Sequence, residues 1–280
     1  MIAIDHIHFS YGRRRTAVFD DFSLTLGSDC IYGLLGKNGT GKSTLLYLIA
    51  GLLLPSRGSV RYLGTETRLR RPETLSELYL LPEEFTLPKV RLAEYVKLHR
   101  PFYPRFSDEL LRQCLTDFDL TPDLHLGELS MGQRKKAYIS FALATNTRLL
   151  LMDEPTNGLD IPSKSQFRRV VARSMTEGRT LLISTHQVRD IDALLDHVVM
   201  LDGSRVLLNR PVAAICAALR FDEVAAGAPV DDALYAQPSP GGLQVVRRAD
   251  GRPETPLNLE LLFNAMLDRP GLAAEIFPEP

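Results

Sequence analysis

The sequence has few cysteines, and they are not spaced as metal ligands. Among its 280 residues the cysteines are Cys30, Cys114 and Cys216, which lie far apart in the chain. Structural zinc sites and disulfide frameworks use closely spaced or paired cysteines, so neither is indicated. An odd number of cysteines without a recognisable signal sequence fits a reducing compartment, and we expect a cytoplasmic protein.

The sequence also lacks an excess of charge and a long apolar run. Its formal net charge is −1, which does not favour nucleic acid as a partner, and we interpret the basic clusters Arg13-Arg14-Arg15 and Arg134-Lys135-Lys136 as solvated faces. No segment approaches the roughly 18 apolar residues of a membrane span. Any association with a membrane is therefore expected to require a partner.

What the sequence does contain is 45% hydrophobic residues, enough for a large core, and one glycine-rich loop. This loop, Gly36-Lys37-Asn38-Gly39-Thr40-Gly41-Lys42-Ser43, fits the phosphate-binding pattern G-x-x-x-x-G-K-S/T. Its glycines allow successive backbone N–H groups to converge on one anion. We expect Lys42 to reach the terminal phosphates of a nucleotide and Ser43 to bind Mg²⁺. A glycine-rich surface turn is the alternative interpretation.

Hydrophobic periodicity predicts an α/β fold. Alternating apolar residues over 2–11 and 22–26 predict antiparallel strands at the amino end. The near-continuous apolar runs 148–152 and 180–184 predict strands buried on both faces of a parallel sheet. Residues with helical spacing lie between the amino-terminal strands and the buried run 148–152. They are expected to form an insert at about 88–147.

Three polar residues follow the two buried strands. Asp153 and Glu154 come directly after the first strand, and His186 follows the second. Ligands of open α/β sheets bind at the carboxyl ends of the strands, so these residues are expected to face the phosphate loop. Asp153 is then predicted to hold the metal, Glu154 to activate the attacking water and His186 to contact the γ-phosphate. Taken alone, Asp-Glu-Pro is a strand-ending turn and the histidine is structural.

The composition changes beyond Pro211. Nine of the eighteen prolines lie in the last seventy residues, and we interpret residues 211–280 as a C-terminal extension. A small sheet (233–237 and 243–248) and a closing helix at about 258–267 are predicted within it. It carries no recognisable motif, and the sequence assigns it no role.

The segment Leu129-Ser130-Met131-Gly132-Gln133 connects these observations. By local physics it is a capping box, in which Ser130 caps a helix and Gln133 reaches back, and most such boxes are structural. However, Ser-x-Gly-Gln at a helix start, 23 residues before Asp153, resembles the signature motif of the ATP-binding cassette (ABC) ATPases. The resemblance covers about residues 2–208.

The resemblance implies a P-loop NTPase fold of the ABC type over residues 1–210, with an antiparallel β subdomain and the helical insert. The phosphate loop is similar to the Walker A motif, 149–154 to Walker B, and 157–160 to the D-loop, while His186 is similar to the switch histidine. The residues that the sequence and the resemblance together assign to nucleotide binding are Tyr11, Gly36, Asn38, Gly39, Thr40, Gly41, Lys42, Ser43 and Thr44, with Tyr11 as the adenine-stacking aromatic. A half-buried strand tyrosine is the alternative for Tyr11.

Two positions depart from the family pattern. Met131 stands where the signature usually has glycine, which retains Ser130 and Gly132 but adds a bulkier side chain. Glu83 stands where the family normally has a glutamine that helps to bind Mg²⁺. A carboxylate can still bind Mg²⁺, so Glu83 joins Ser43 and Asp153 as a predicted metal ligand, with metal affinity or hydrolysis rate altered.

In this family each ATP lies between the Walker A loop of one subunit and the signature of another. The resemblance therefore implies a dimer, of identical or related chains, closed around Mg-ATP. Ser130, Met131, Gly132, Gln133 and Asp160 are assigned to the ATP of the second subunit. Hydrolysis is expected to power a separate membrane-spanning subunit, in export, with this chain on the cytoplasmic face of the membrane.

Other functional classes fit less well. A soluble ABC ATPase of translation or DNA repair usually has two cassettes in one chain or a long coiled-coil insert. A non-catalytic ATP-dependent regulator would be expected to lack Glu154 or His186. A P-loop kinase or GTPase leaves Ser130 to Gln133 unexplained.

Overall fold

The computed structural model describes residues 1–12 and 16–278. The basic cluster Arg13-Arg14-Arg15 lies outside these residues. Within the two described ranges, no helix is both long and apolar enough to cross a bilayer.

An antiparallel sheet forms the amino-terminal part of the fold. Its strand order is β2-β1-β4-β5. Strand β1 buries its apolar side chains and ends at Phe9, so Tyr11 lies beyond the strand in which the sequence placed it. The antiparallel subdomain predicted from the sequence is confirmed. Its strands are β1 (Ile2–Phe9), β2 (Phe19–Leu26), β4 (Arg57–Tyr62) and β5 (Thr65–Glu66).

A six-stranded sheet lies at the centre, in the order β10-β9-β3-β8-β7-β6. All neighbouring pairs are parallel except β9 and β10, which form a hairpin. Strands β3, β7 and β8 are buried along their whole length, as their apolar runs predict. Because these three strands run parallel, their carboxyl ends share one edge of the sheet. The strands are β3 (Ile31–Gly36), β6 (Leu78–Leu81), β7 (Leu149–Asp153), β8 (Thr180–Thr185), β9 (His197–Asp202) and β10 (Arg205–Pro211).

Six helices connect these strands. The phosphate loop leads from β3 into α1, and three helices lie between β6 and β7, where the sequence predicts an insert. In α4, Ser107 caps the first turn by accepting a hydrogen bond from the Leu110 N–H at 3.1 Å. The acidic residues of that turn interact favourably with the positive end of the helix dipole. The helices are α1 (Lys42–Ile49), α2 (Pro72–Leu75), α3 (Leu92–His99), α4 (Asp108–Asp117), α5 (Met131–Ala144) and α6 (Ile161–Ser174).

Over its described residues, the C-terminal extension has one more strand and two more helices than the sequence predicts. Its sheet has the order β11-β13-β12, and the Asn258 side chain caps α8 by accepting from the Leu261 N–H at 3.0 Å. Helix α8 packs against the 3₁₀ turn Val188–Asp190, where Arg189 and Glu260 form an ion pair at 2.7 Å. The elements are α7 (Val212–Ala218), β11 (Leu219–Val224), β12 (Tyr235–Ser239), β13 (Gly242–Arg248), α8 (Leu259–Asp268) and α9 (Leu272–Ile276).

Candidate active site

The phosphate loop is shaped by two glycines that no other residue can replace without strain. Gly41 precedes α1 with φ of 94°, and a Cβ there would lie 2.8 Å from side-chain atoms of both Phe19 and Val18. A Cβ on Gly36 would lie 2.5 Å from the Thr40 hydroxyl and 3.0 Å from the Leu201 carbonyl. The loop can therefore turn tightly between β3 and the amino end of α1, where helix N–H groups attract anions.

Lys42 supplies a buried positive charge to this loop. Its side chain is 6% exposed, and its ammonium donates to the carbonyls of Gly36 at 2.8 Å and Lys37 at 3.2 Å. Burial lowers the pKa of Lys42, an effect that the nearby carboxylates of Glu154, Asp153 and Glu83 oppose. An ammonium held inside the loop is placed to meet the phosphates of a nucleotide.

Tyr11 lies at the rim of the loop. Its hydroxyl is 2.9 Å from the Thr44 hydroxyl, and its ring meets Phe9 edge to face at 5.0 Å. The side chain is 53% exposed, and Tyr11 lies beyond the end of β1, so it is not the strand residue that the alternative interpretation requires. An exposed ring next to α1 is available to stack on a flat apolar group.

The two carboxylates at the end of β7 differ in their surroundings. Asp153 is almost fully buried, and its Oδ1 accepts a hydrogen bond from the Ser184 hydroxyl at 2.5 Å. Glu154 adopts φ of 44°, which directs its chain away from the strand, and its N–H donates to the Ser184 carbonyl at 3.1 Å. This left-handed conformation is uncommon for a residue other than glycine, asparagine or aspartate and is frequent at functional sites.

The Glu154 carboxylate is held by the end of β8 and by the histidine that follows it. Its Oε1 is 2.8 Å from His186 Nδ1 and 4.0 Å from the Lys42 ammonium. Its Oε2 accepts from the Thr185 hydroxyl at 3.1 Å and the His186 N–H at 3.4 Å. A carboxylate fixed in this way, beside the phosphate loop, has the position of a general base.

Glu83 reaches the same cleft from the segment between β6 and α3. Its Oε1 accepts a hydrogen bond from the side-chain amide of Asn157 at 2.7 Å. Asn157 belongs to the predicted D-loop, but its side chain was not predicted to be part of the site. The available signal was its position three residues after Glu154, within the same tight turn.

Together these residues line one cleft of about 560 Å³. Ten of the predicted residues and two unassigned ones, Val18 and Asn157, form its walls, while Gly36, Thr40 and Asp153 lie behind them. The predicted residues in the walls are Tyr11, Asn38, Gly39, Gly41, Lys42, Ser43, Thr44, Glu83, Glu154 and His186.

The donors in the cleft fit Mg²⁺ only when phosphate is also present. Over residues 1–12 and 16–278, no three His, Cys, Asp or Glu side chains lie close enough to bind a metal by themselves. The donors are the Ser43 hydroxyl and the Glu83 carboxylate in the cleft wall and the Asp153 carboxylate behind it, which are ligand types that Mg²⁺ accepts, and the ion commonly completes its octahedron with water and phosphate oxygens. The residues therefore fit a magnesium–nucleotide complex.

The predicted signature residues and Asp160 of the D-loop lie outside this cleft. Ser130 and Gln133 form the predicted capping box at the start of α5. The Gln133 N–H donates to the Ser130 hydroxyl at 3.3 Å, and the Ser130 N–H donates to the Gln133 side-chain oxygen at 3.0 Å. The Met131 side chain is 75% exposed, and Gly132 has free space beside it. Asp160 caps α6 by accepting from the Ser163 N–H at 2.9 Å, and hydrogen bonds from Ser163 lower its pKa. Within one chain these residues do not reach the phosphate loop.

One sequence interpretation was wrong. Lys135, taken as part of a solvated basic face, is 6% exposed, although its neighbour Arg134 is exposed. Its ammonium donates to the main-chain carbonyls of Glu154 and Asn157, both at 2.8 Å. The available signal was helical spacing, since Ile139 and Ala142 follow Lys135 on the face of α5 that packs inward.

Comparison with known proteins agrees with this geometry. A family model described as ABC transporter matches residues 19–157. The manganese transport system ATP-binding protein MntA of Synechocystis sp. is 31% identical over 212 residues, which are 72% of this chain and 81% of that protein. A solved structure described as the ATP binding subunit of an ABC transporter covers 76% of this chain and 90% of its own, with a TM-score of 0.68 and 24% identity.

Other relatives have names that point in opposite transport directions. The Nod factor export ATP-binding protein I of Neorhizobium galegae is 29% identical over 206 residues, 71% of this chain and 59% of that protein. The methionine import ATP-binding protein MetN of Carboxydothermus hydrogenoformans is 32% identical over 222 residues, 74% of this chain and 65% of that protein. The chain spans less than two thirds of these two relatives. By its sequence relatives and its fold, the chain belongs to the ATP-binding proteins of the ABC transporter family.

Proposed function

We propose that the chain is an ATPase that closes with a second nucleotide-binding subunit around Mg-ATP and powers a separate membrane-spanning subunit. The observation that carries this proposal is the Glu154 carboxylate, which is almost fully buried yet lines the cleft between the Lys42 ammonium and His186. A carboxylate in this position suits the activation of water for attack on a γ-phosphate.

The residues assigned to the site have separate tasks in this mechanism. Lys42 and the N–H groups of the loop bind and orient the phosphates, and Tyr11 stacks on the base. Ser43, Asp153 and Glu83 would hold Mg²⁺, which supplies positive charge to the phosphate oxygens when bound. Glu154 accepts the proton of the attacking water. His186 fixes the Glu154 carboxylate through Nδ1 and, as a residue of the cleft wall, is assigned to contact the γ-phosphate.

The surface around the signature supports a second subunit. Ser130, Gly132 and Asp160 sit at the amino ends of α5 and α6, on surfaces open to solvent. The start of α5 provides N–H groups and a helix dipole that attract an anion. We therefore assign these residues, with Met131 and Gln133, to the γ-phosphate of an ATP bound by the other chain. The partner is an identical or a related chain.

A groove beside the helical insert supports docking of a membrane-spanning subunit. It has a volume of about 860 Å³ and lies between α2, β6, α3 and α5. Its lining includes Tyr79, Tyr95 and the 66% exposed Phe102, and Phe85, in the loop after Glu83, packs on Tyr138 at its floor with ring centroids 4.5 Å apart. Tyr79 and Tyr95 are themselves buried, but the exposed Phe102 at the edge of an open apolar groove is a feature found at interaction sites. Through this contact the chain would lie on the cytoplasmic face of the membrane.

Export is the direction that we propose. The sequence features in its favour are the closing helix over 259–263 and the Phe102-Tyr103-Pro104 segment, and one named relative is an export protein. Another is an import protein, so the direction needs its own test. In inside-out vesicles that contain the complete complex, ATP added outside should drive substrate inward if the system exports. ATP-driven loss of preloaded substrate from the same vesicles would overturn the direction.

Two measurements test the function. The purified chain should hydrolyse ATP only when Mg²⁺ is present. Tagged protein recovered from detergent-solubilised membranes should bring a membrane-spanning protein with it. Recovery without any membrane protein would instead favour a soluble ABC ATPase, and the lack of hydrolysis by the recovered complex would favour a non-catalytic regulator.

A further inference from the structure

Lys135 is a buried ammonium for which the mechanism above has no use. It lies on α5, five residues after Ser130, and does not line the nucleotide cleft. Burying a lysine is costly unless its donors are satisfied. Its two hydrogen bonds at 2.8 Å go to main-chain carbonyls, those of Glu154 and Asn157. The ammonium therefore joins the signature helix to the backbone that carries the general base.

The two carbonyls belong to one tight turn. The Asn157 N–H donates to the Glu154 carbonyl at 3.2 Å, and Glu154 holds a left-handed backbone conformation with φ of 44°. Such a conformation persists only where the surroundings enforce it. Lys135 bonds to both ends of this turn, so it contributes to that enforcement.

The same turn positions a second carboxylate. The Asn157 side chain donates to Glu83 at 2.7 Å, and Glu83, Glu154 and Asp153 all favour the charged form of Lys135 against the effect of burial, which lowers its pKa. One ammonium is thus linked to the backbone of Glu154 and, through Asn157, to Glu83.

We propose that Lys135 is a positioning residue for hydrolysis, which fixes the turn 154–157 from the signature helix and so holds the Glu154 carboxylate in the cleft. This proposal rests on the proposed ATP hydrolysis. It also makes α5 serve two sites, because Ser130 is assigned to the ATP of the partner while Lys135 acts on the base of its own chain.

Lys135→Met tests the role, since methionine keeps length and apolar character but removes the three N–H donors. The matched control is Lys136→Met, at the adjacent and less buried lysine of the same helix. We expect Lys135→Met to lower kcat by roughly tenfold or more with KM for ATP within about twofold of wild type. Lys136→Met should stay within about twofold in both constants. Undiminished kcat in Lys135→Met, or an equal loss in both variants, would overturn the proposal.

A double variant separates positioning from general destabilisation. Residues that act as a unit have non-additive effects, so adding Lys135→Met to Glu154→Gln should change the residual rate by less than about twofold. If Lys135→Met lowers the hydrolysis rate by the same factor in the wild type and in Glu154→Gln, Lys135 does not act through Glu154 and the proposal is wrong.

A readout without hydrolysis keeps this inference separate from the proposed function. The backbone N–H of Asn157, which donates to the Glu154 carbonyl, should exchange its hydrogen roughly tenfold faster in Lys135→Met than in wild type. In Lys136→Met it should exchange at the wild-type rate. Unchanged exchange in both would overturn the positioning role even if the wild type proved inactive. Should Lys135→Met not fold, Lys135→Gln takes its place in the same comparisons with the same criteria, because its amide nitrogen is uncharged and ends one bond short of the position of the lysine ammonium.

Discussion

The side-chain amide of Asn157 donates to the carboxylate of Glu83 across 2.7 Å. This bond connects the segment after β6 with the turn that carries Glu154. The same segment contains Phe85, which packs on Tyr138 in the groove between α2, β6, α3 and α5. A glutamine at position 83 would accept the same bond through its carbonyl oxygen. What distinguishes Glu83 from the family's glutamine is therefore its charge and not its ability to pair with Asn157.

The first prediction concerns that charge. Glu83→Gln should weaken Mg²⁺ binding in the presence of ATP by about tenfold, because it removes one negative charge near the ion while it retains the bond to Asn157. Titration of Mn²⁺ as a paramagnetic substitute, with ATP present, measures this directly. Glu84→Gln, at the exposed neighbour, is the control. Equal affinity in wild type and Glu83→Gln would remove Glu83 from the metal ligands.

Glu154→Gln should reduce ATP hydrolysis by roughly 10² to 10⁴, the range for a lost general base, without loss of ATP binding. Glutamine has the same shape and can still pair with Thr185 and His186, so the fold should not change. Because ATP persists in this variant, an ATP-bound dimer should accumulate on a sizing column. Glu177→Gln, at an exposed site, should hydrolyse ATP normally. Full turnover in Glu154→Gln would show that the base is elsewhere.

Lys42→Ala should abolish detectable ATP binding, since it removes the ammonium that the loop encloses. Equilibrium binding of a fluorescent ATP analogue measures the loss. Lys97→Ala, on the exposed part of α3, should bind like wild type. An unchanged dissociation constant in Lys42→Ala would contradict the assigned contact with phosphate.

Ser130→Arg should leave ATP binding by the single chain unchanged, because Ser130 lies outside its own cleft. The bulky cation should prevent the ATP-dependent dimer, most clearly in the Glu154→Gln background, where the dimer otherwise persists. Ser28→Arg, at another exposed serine, should dimerise as usual. Dimer formation by the Ser130→Arg variant would rule out the arrangement in which two chains share each ATP.

The sequence predicts the parts of this fold that depend on local patterns. The phosphate loop, the buried strands β7 and β8 and the cap at Ser107 each follow from a few adjacent residues, and each is present. Strand β11 was missed because the alternation of Phe221 with charged neighbours spans too few residues to stand out.

The contacts within the candidate site were less predictable than its members. Glu83 and Asn157 are 74 residues apart, and their hydrogen bond depends on how β6 lies beside β7. Lys135 looks like part of a charged helix surface until its face is compared with Ile139 and Ala142. Sequence patterns identify which groups carry chemistry, whereas the partners that orient those groups are set by tertiary packing.

The packing of α8 on the 188–190 turn has a consequence for how the molecule opens. Val188 is buried in the same core as Leu259 and Leu261 of α8, and it lies two residues after His186. Partial unfolding of the last seventy residues would remove the contacts of α8 with this turn. The freedom of the histidine to leave the Glu154 carboxylate is therefore tied to the stability of a segment whose described residues contribute no atom to the nucleotide cleft.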